Sequence, residues 1–333
     1  MRGPIVVTGG LGFIGSAFVR AIAGSGLEIH NVDARTYAAD DDRIGGIAGV
    51  VTTEIDVVDT AFTELIGSVR PAGIVHFAAE THVTRGETDE DRFFRTNVEG
   101  TRSVLDAAKA AGVERVVHVS TDEVYGPALD HPFTEKEKNP GEGKATSAYA
   151  RSKAIADDLA RSYTDTLHVD VVRPTNCFGP WQHPEKAVPR WVTRALSGQR
   201  LPVWGDGNYV RDWMFVDDAC SAIAAVLEKS TDGDVFNIGP ENEAMSNLEM
   251  ARMIATIAGV ESDAVYLSAY DRPRHDRRYS VDTSKVRALG WEPRTGVVDG
   301  IEATVQWYRA NRPWWEPLVA SAEALYVDQA ERA

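Results

Sequence analysis

The stretch VVTGGLGFIG, residues 6–15, decides the fold of this chain. Its three glycines, Gly9, Gly12 and Gly15, follow an apolar run and precede a pattern that is typical of a helix. Gly9 permits a tight turn, Gly12 lets a pyrophosphate approach the backbone, and Gly15 lets the helix pack close to the strand. A helix N-terminus also offers amide groups and a positive dipole end to phosphates. The spacing therefore predicts a strand–loop–helix unit that binds a dinucleotide.

An acidic residue at the end of the next apolar run, EIHNVD, indicates which dinucleotide binds. Asp33 in that position would accept hydrogen bonds from both ribose hydroxyls and would repel a 2′-phosphate, so we predict NAD. Arg35 keeps NADP open as an alternative, because a nearby arginine can accommodate a 2′-phosphate. For the glycines alone, the simplest alternative is a tight turn that binds nothing.

The glycine loop opens a regular alternation of strands and helices. We predict strands at PIVVT, EIHNVD, VVTTEI, AGIVHFA, RVVHVS and LHVDVVRP, and helices over 12–23, 89–111 and 147–163. Apolar strands that alternate with helices are typical of βαβ units and of a parallel sheet covered on both faces. The predicted fold is therefore α/β, a Rossmann-like doubly wound parallel sheet with right-handed crossovers.

The amino-acid composition changes after Pro174, where proline, glycine, tryptophan and arginine become frequent. We predict a smaller mixed α/β lobe that holds the substrate over the sheet, with helices over 188–196, 246–258 and 298–309. The segment DVFNIG returns to the large sheet in this prediction. Residues 1–180, with returning segments near 212–240, then form the NAD-binding domain, and residues 181–330 form the interleaved substrate-binding lobe.

Composition excludes several classes of partner. The formal net charge of −15 predicts that the protein does not bind nucleic acid. No apolar run approaches the roughly 20 residues of a membrane span. Cys177 and Cys220 are the only cysteines of the sequence and belong to no CxxC pair or His/Cys cluster, so we predict no metal site. The absence of a signal-peptide pattern and the low cysteine count favour a cytoplasmic protein.

A tyrosine and a lysine four residues apart, Tyr149 and Lys153 in SAYARSKA, lie on one face of a predicted helix. An ammonium beside a phenol lowers the phenol pKa from ~10 toward the working range, and NAD⁺ would act in the same direction. Such a phenolate can remove a proton from a sugar hydroxyl while hydride leaves the same carbon. Thr121, at the end of the fifth strand, is placed to bond the reacting oxygen. The alternative is a surface pair on an amphipathic helix.

Two adjacent carboxylates, Asp122 and Glu123 in STDEVYG, indicate a second chemical step. Oxidation of a hexose at C4 makes its C5 hydrogen acidic, so a base can remove that proton while an acid protonates the departing C6 hydroxyl. Two carboxyl groups can divide those roles if one stays protonated. Because neighbours on an extended strand point to opposite sides, the backbone must turn here. A helix N-cap or a loop salt bridge is the alternative.

These motifs resemble the short-chain dehydrogenase/reductase family in its extended, nucleotide-sugar-modifying form, and within it the dTDP-glucose 4,6-dehydratases. The resemblance covers nearly the whole chain and includes AAETHVTR, STDEVYG, YARSKA, RPTNCFGPWQHPEKAVP, LPVWGDGNYVRDWMFVDD, FNIGPENEAMSNLE and DRPRHDRRYSVD. It implies an NAD-dependent hydro-lyase that oxidises C4 of dTDP-glucose, eliminates water between C5 and C6 and returns hydride to C6, for deoxysugar biosynthesis. It also implies that Asp122 is the acid and Glu123 the base.

The motifs and the resemblance together predict two sets of contacts. For NAD these are Gly9, Gly12, Phe13, Ile14, Gly15, Asp33, Arg35, Thr36, Asp56, Val57, Phe77, Ala78, Ala79, Thr81, Thr96, Tyr149, Lys153 and Asn176. For the nucleotide sugar they are Thr81, Thr121, Asn176, Lys186, Ala187, Pro202, Val203, Trp204, Arg211, Asn247, Arg272, His275 and Tyr279. The arginines suit phosphate oxygens, and Trp204 suits a flat base. The resemblance further implies a homodimer formed through helices 89–111 and 147–163.

Two other functions remain open from the sequence. A 4-epimerase or decarboxylase of the same fold would use Tyr149 but typically lacks the pair Asp122 and Glu123. A non-enzymatic NAD or nucleotide-sugar binding module would not need Thr121, Tyr149 and Lys153 together. Cys177 and Phe178 depart from the Asn and Tyr that are usual in the family at these positions.

Overall fold

A computed structural model of the chain describes residues 3–82, 89–128, 131–137, 147–240, 244–270 and 276–330. The strands within these residues are β1 (Ile5–Thr8), β2 (Ile29–Asp33), β3 (Val50–Glu54), β4 (Gly73–His76), β5 (Arg115–Val119), β6 (Val169–Pro174), β7 (Asn176–Phe178), β8 (Leu201–Trp204), β9 (Val210–Phe215), β10 (Val235–Ile238), β11 (Ala244–Ser246) and β12 (Val265–Ser268). Seven of them form one sheet, in the order β10-β6-β5-β4-β1-β2-β3. All seven predicted strands of this sheet, including DVFNIG as β10, are confirmed.

Every neighbouring pair in the large sheet is parallel. β1 pairs with β2 on one side and with β4 on the other. The sheet continues from β1 to β2 and β3 on one side and from β4 to β5, β6 and β10 on the other. The loops that follow β1 and β4 therefore lead away in opposite directions. In such sheets the ligand binds in the crevice at the carboxyl ends of the strands, beside this reversal of direction.

The helices of the described residues cover both faces of the large sheet or belong to the smaller lobe. They are α1 (Phe13–Ile22), α2 (Thr60–Val69), α3 (Glu90–Phe94), α4 (Gly100–Ala111), α5 (Ala148–Arg161), α6 (Ala187–Leu196), α7 (Val216–Lys229), α8 (Asn247–Ala258), α9 (Ser284–Ala288), α10 (Val297–Ala310) and α11 (Arg312–Ala330). Side chains of β1 alternate between the faces: Ile5 and Val7 pack with α1 and α7, and Val6 packs with α2 and α4. Burial on both faces explains the uninterrupted apolar runs of these strands.

The smaller lobe has a core of its own. Its strands form a three-stranded sheet, in the order β11-β9-β7, and a two-stranded sheet of β12 and β8. Helices α6, α8, α10 and α11 enclose a cluster that includes Trp191, Trp213, Met250 and Trp315. The predicted fold class, a Rossmann-like sheet with a smaller mixed lobe, is confirmed.

The helices differ from the sequence prediction in two ways. The helix predicted over 89–111 is interrupted by a π-helical turn at Arg95–Glu99, between α3 and α4. Helices α2, α7, α9 and α11 were not predicted. Pro317 lies inside α11, where the missing amide would ordinarily argue against a helix. Among the described residues, we find no helix with the length and apolarity needed to cross a bilayer.

Candidate active site

The glycine-rich loop has the tight geometry that its sequence predicts. Gly9 has a φ of +73°, and a Cβ atom on it would lie 2.7 Å from the backbone nitrogen of Ala78. A Cβ on Gly15 would lie 2.3 Å from the Gly9 carbonyl oxygen. Side chains at these positions would therefore push the loop away from β4 and α1. Gly12 precedes α1 as its N-cap and faces the adjoining cavity.

That cavity has a volume of about 570 Å³ and lies at the carboxyl ends of the central strands. The residues predicted to contact the cofactor that line it are Gly9, Gly12, Phe13, Ile14, Gly15, Asp33, Thr36, Asp56, Val57, Phe77, Ala78, Ala79, Thr81, Thr96, Tyr149, Lys153 and Asn176. Thr121, Asp122 and Glu123 line the same cavity. The structure thus brings the glycine loop and all five predicted catalytic side chains around one space.

Asp33 is held in a position that suits a ribose contact. Its two carboxylate oxygens accept hydrogen bonds from the Leu11 amide at 3.0 Å and from the Arg35 amide at 2.9 Å. A carboxylate has about four acceptor positions, so acceptor capacity remains on the side that faces the cavity. Burial raises the pKa of Asp33, and the two amide donors oppose that rise.

Arg35 is the one described residue of the predicted cofactor set that does not line the cavity. Its guanidinium group pairs with Asp41 and lies 3.1 Å from a carboxylate oxygen of Glu54. These carboxylates neutralise the cation that a 2′-phosphate would require. Together with Asp33, these carboxylates make this end of the site acidic. An acidic environment repels the 2′-phosphate of NADP and therefore favours NAD.

We expect Asp33→Asn to weaken NAD binding by about tenfold, since a hydrogen bond to a charged group is worth about 1.5–3 kcal/mol. Titration calorimetry on cofactor-free protein measures the affinity. Asp42→Asn is the matched control, because Asp42 is exposed on the same loop and is absent from the lining of the cavity. Equal NAD affinity in both variants would contradict a ribose contact by Asp33.

Helix α5 presents Tyr149 and Lys153 toward the cavity. Ser147 caps its N-terminus by accepting a hydrogen bond from the Ala150 amide at 3.0 Å. The Lys153 ammonium donates to the Val119 carbonyl oxygen at 2.7 Å, which ties α5 to the end of β5. Burial lowers the pKa of Lys153 to about 8, and the charge of Asp157 opposes that shift.

The pKa of Tyr149 is raised above its ordinary value in this structure. Burial is the largest cause and the charge of Glu123 the next, while a hydrogen bond with Thr121 opposes them. The sequence analysis expected Lys153 to lower this pKa. That expectation is wrong for the protein by itself, because burial and the charge of Glu123 determine the direction of the shift. A cation bound in the cavity, such as the nicotinamide ring of NAD⁺, would act to lower the pKa.

The backbone turn that the two adjacent acids require is present. Thr121 is extended, and Asp122–Tyr125 forms a single 3₁₀ turn directly after it. The Thr121 hydroxyl accepts a hydrogen bond from the Glu123 amide at 3.3 Å and donates one to Asp122 at 3.2 Å. The turn brings both carboxyl groups to the cavity that Tyr149 also lines.

The surroundings of Asp122 favour its protonated form. Asp122 is buried, and its Oδ2 atom has no hydrogen-bond partner among the described residues. Burial, followed by the charge of Glu123, raises the pKa of Asp122 well above its usual range. A raised pKa favours the protonated form, which is the state that a general acid requires.

A buried ion pair connects the two catalytic segments. Arg173 on β6 binds both carboxylate oxygens of Asp157 at 2.8 and 2.6 Å. Asp157 lies one turn beyond Lys153 on α5. The guanidinium carbon of Arg173 also lies 4.6 Å from the ring centroid of Tyr125, the last residue of the acidic turn. Arg173 therefore fixes α5 relative to the turn that carries Asp122, a link that no local pattern indicates.

A second cavity of about 200 Å³ adjoins the first and shares Thr81, Glu123, Asn176, Glu185 and Lys186 with it. The predicted substrate contacts that line one or both cavities are Thr81, Thr121, Asn176, Lys186, Ala187, Pro202, Trp204, Arg211, Asn247 and Tyr279. The predicted contacts Arg272 and His275 lie outside the described residues. The two cavities therefore adjoin at their shared residues, which include Glu123.

Val203 does not line either cavity. It is fully buried in the core of the smaller lobe, whereas its neighbours Pro202 and Trp204 line the second cavity. Successive side chains of a strand point to opposite faces, so the three residues of the PVW motif cannot all face the same ligand.

The cavities also include residues that the sequence analysis did not single out. Among them are Glu80, His82, Arg92, Gln182, His183, Glu185, Arg190, Trp191, Trp213 and Tyr326. Glu185 is typical of them: it is buried, and its carboxylate accepts a hydrogen bond from Tyr37 at 2.8 Å. Its position inside the segment QHPEK, which the sequence analysis quoted as part of the resemblance, was the available signal.

Arg211 is held in part by backbone carbonyl groups. Its guanidinium group donates to the carbonyl oxygens of Val210 at 2.7 Å and Asp276 at 2.9 Å. The same group lies 4.3 Å from the ring centroid of Tyr279. Arg211 lines the second cavity, where a guanidinium group suits the oxygens of an anionic ligand.

Comparison with known proteins identifies the family. Residues 5–239 match the model of the NAD dependent epimerase/dehydratase family. A dTDP-glucose 4,6-dehydratase of Streptomyces niveus is 42% identical over 331 residues, with 96% of this chain and 97% of the relative covered. The low-salt glycan biosynthesis protein Agl12 of Haloferax volcanii is also 42% identical, over 91% of this chain and 98% of the relative.

Solved structures agree with these matches. The dTDP-glucose 4,6-dehydratase DesIV of Streptomyces venezuelae, crystallised with NAD, is 41% identical and superposes with a TM-score of 0.88 over 95% of this chain and 99% of that one. A UDP-glucose 4-epimerase of Thermotoga maritima is 27% identical, with a TM-score of 0.86 over 93% of this chain and 99% of that one. The predicted resemblance and the predicted cofactor are confirmed: the chain belongs to the NAD dependent epimerase/dehydratase family.

Proposed function

We propose that the protein is an NAD-dependent dTDP-glucose 4,6-dehydratase, a hydro-lyase that forms dTDP-4-keto-6-deoxyglucose for deoxysugar biosynthesis. The observation that carries the proposal is the turn at Asp122–Tyr125, which directs Asp122 and Glu123 into the cavity lined by Tyr149. Oxidation at C4 alone requires Tyr149 but not this acidic pair. The 41–42% identity to two dTDP-glucose 4,6-dehydratases over nearly the whole chain supports the same reaction.

The roles of the chain's own residues follow from their chemistry. Bound NAD supplies the oxidising power at C4 and the reducing power at C6. Tyr149 accepts the proton of the C4 hydroxyl, and Thr121 forms a hydrogen bond to the reacting oxygen. Glu123 removes the C5 proton, and Asp122, whose raised pKa favours its protonated form, gives its proton to the departing C6 hydroxyl. The two carboxyl groups therefore divide the elimination between a base and an acid.

We extend the proposal to the organisation of the chain. Residues 1–180, with returning segments near 212–240, carry the cofactor site, and residues 181–330 carry the nucleotide-sugar site. The pairing of β10 with β6 and the packing of α7 against α1 support the returning segment. A homodimer that assembles through the helices within 89–111 and 147–163, in the cytoplasm, completes the proposal. Light scattering tests the dimer, since a monomeric mass would exclude it.

Incubation of the NAD-loaded protein with dTDP-glucose and, separately, with UDP-glucose tests the proposed reaction. Mass spectrometry should show loss of one water from dTDP-glucose. A product of unchanged mass with inverted C4 would instead identify a 4-epimerase, and loss of carbon dioxide from the corresponding uronic acid would identify a decarboxylase. Tight binding of both ligands without turnover would identify a binding module.

A further inference from the structure

The segment that follows β2, residues 34–43, covers one side of the larger cavity, and we call it the ribose loop. Its residues that line this cavity are Ala34, Thr36, Ala38, Ala39 and Arg43. The Arg43 guanidinium group donates to the carbonyl oxygens of Leu11 and Ala38, both at 2.6 Å. Arg43 therefore ties the ribose loop to the glycine-rich loop. A dinucleotide whose ribose contacts Asp33 lies against both loops.

Tyr37 connects the ribose loop to the smaller lobe. Its hydroxyl donates to Oε1 of Glu185 at 2.8 Å, and its ring packs edge-on against His183 with the ring centroids 6.0 Å apart. Glu185 is buried and lines both cavities. Burial acts to raise the pKa of Glu185, but the charges of His82 and Lys186 hold it below its usual value. The acceptor is therefore a carboxylate, to which hydrogen bonds are strong.

Trp314, on helix α11, makes a second connection at the other end of the ribose loop. Its indole nitrogen donates to Oδ2 of Asp40. The Oδ1 atom of Asp40 accepts from the Asp42 amide at 2.9 Å, which fixes this carboxylate within the loop. The guanidinium carbon of Arg43 lies 5.7 Å from the centroid of the Trp314 ring. Because the next residue, Trp315, is buried in the core of the smaller lobe, Trp314 holds the loop against a fixed helix.

We propose that Tyr37 and Trp314 are positioning residues that hold the ribose loop closed over bound NAD and so retain the cofactor through the catalytic cycle. The inference deepens the proposed function and rests on it for the need to retain NAD. In the proposed reaction the hydride taken from C4 returns to C6 of the same sugar, so release of NADH between these steps would leave the intermediate unreduced. Trp314 also lies outside residues 5–239, the segment that matches the family model.

The rate at which NAD leaves the protein tests the proposal. NAD-loaded protein is diluted, without any sugar nucleotide, into an excess of alcohol dehydrogenase and ethanol, and the absorbance of NADH follows the release. Tyr37→Phe and Trp314→Phe each remove one donor and keep an aromatic ring. Each should release NAD about tenfold faster than wild type, as expected for loss of a hydrogen bond to a charged group. The double variant should release it about a hundredfold faster, because the two contacts hold separate points of the loop.

Two matched variants control for general loosening of the protein. Trp307→Phe replaces a tryptophan whose ring centroid is 5.1 Å from that of Trp314, and which makes no hydrogen bond to the ribose loop among the described residues. Tyr163→Phe removes a hydroxyl that also donates to a carboxylate, that of Asp106 at 2.6 Å, away from the cavity. Both controls should release NAD at the wild-type rate. Tyr37 is 37% exposed, so Tyr37→Phe tests the proposal even if Trp314→Phe fails to fold.

Recovery of activity is a second readout, which damage to the catalytic residues would not give. After dilution without NAD, the activity of Tyr37→Phe and Trp314→Phe toward dTDP-glucose should decline faster than that of wild type. Addition of NAD should then restore it. Activity that stays lost in the presence of added NAD would contradict a role in retention, because the defect would then lie outside cofactor binding.

Each outcome bears on one of the two proposals. Release of NAD at the wild-type rate from Tyr37→Phe or from Trp314→Phe would overturn the paired role and leave the dehydratase assignment intact. Equally fast release from Trp307→Phe or Tyr163→Phe would also overturn it, because the effect would then not depend on the ribose loop. Faster release from both loop variants, together with no loss of water from dTDP-glucose by wild type, would contradict the proposed function alone.

Discussion

Replacement of Tyr149 by phenylalanine should lower the rate of dTDP-glucose oxidation by about a thousandfold, within the range of about 10²–10⁴ that a general base contributes. The phenol oxygen is the proton acceptor for the C4 hydroxyl in the proposed reaction, and the ring that remains preserves packing. Single-turnover absorbance of NADH measures the first step directly. The bound NAD content should match that of wild type, because the glycine loop and Asp33 are unchanged.

Tyr163→Phe is the control for this experiment. Tyr163 follows α5 closely, and its hydroxyl donates to Asp106 at 2.6 Å, away from the cavity. The Tyr163→Phe variant should oxidise dTDP-glucose at a rate close to that of wild type. NADH formation at the wild-type rate in Tyr149→Phe would show that Tyr149 is not the base of the first step. Glu123 or Lys153 would then be the next candidate for that base.

Substitution of either acid should stop the reaction at a later point. We expect Asp122→Asn and Glu123→Gln each to slow water elimination by about 10²–10⁴-fold, with oxidation at C4 less affected. NADH should then accumulate on the enzyme in a single turnover, while the water-loss product by mass spectrometry appears slowly. This accumulation separates the acidic pair from Tyr149, whose loss prevents NADH from forming at all.

The pH dependence of elimination provides a second readout for Asp122. Burial and the neighbouring Glu123 charge raise the pKa of Asp122 well above its usual range, and the proposed acid works only while it is protonated. Elimination by wild type should therefore persist through neutral pH and decline as the pH rises past the pKa of Asp122. Asp217→Asn offers the control, since Asp217 is an exposed member of another adjacent acidic pair. Wild-type elimination rates in both Asp122→Asn and Glu123→Gln would refute the acid–base assignment.

The sequence predicted the parts of the site that depend on short spacings. The Gly9 turn, the α5 face with Tyr149 and Lys153, and the location of Asp122 after β5 all follow from residues within a few positions of each other. Local spacing governs strand and helix periodicity, so these predictions needed no knowledge of the tertiary fold. Similarly, the parallel sheet follows from apolar runs that alternate with helical patterns.

Other predictions were limited because they depended on which neighbours each side chain meets. Arg35 lies near Asp33 in sequence, yet Asp41 and Glu54 bind its guanidinium group. Val203 lies between two cavity residues, yet it packs into the core. The direction of the Tyr149 pKa also depended on burial and on Glu123 rather than on Lys153, the nearer residue in sequence.

The sequence by itself therefore determined the fold class, the cofactor loop and the family of the protein, because these depend on local patterns of glycine, apolar and catalytic residues. The tertiary structure alone decided that Arg173 links the two catalytic segments and that Tyr326 of α11 reaches the cavity opposite Trp204. The physical reason is that burial, charge and contact between distant elements exist only once the helices and sheets have packed.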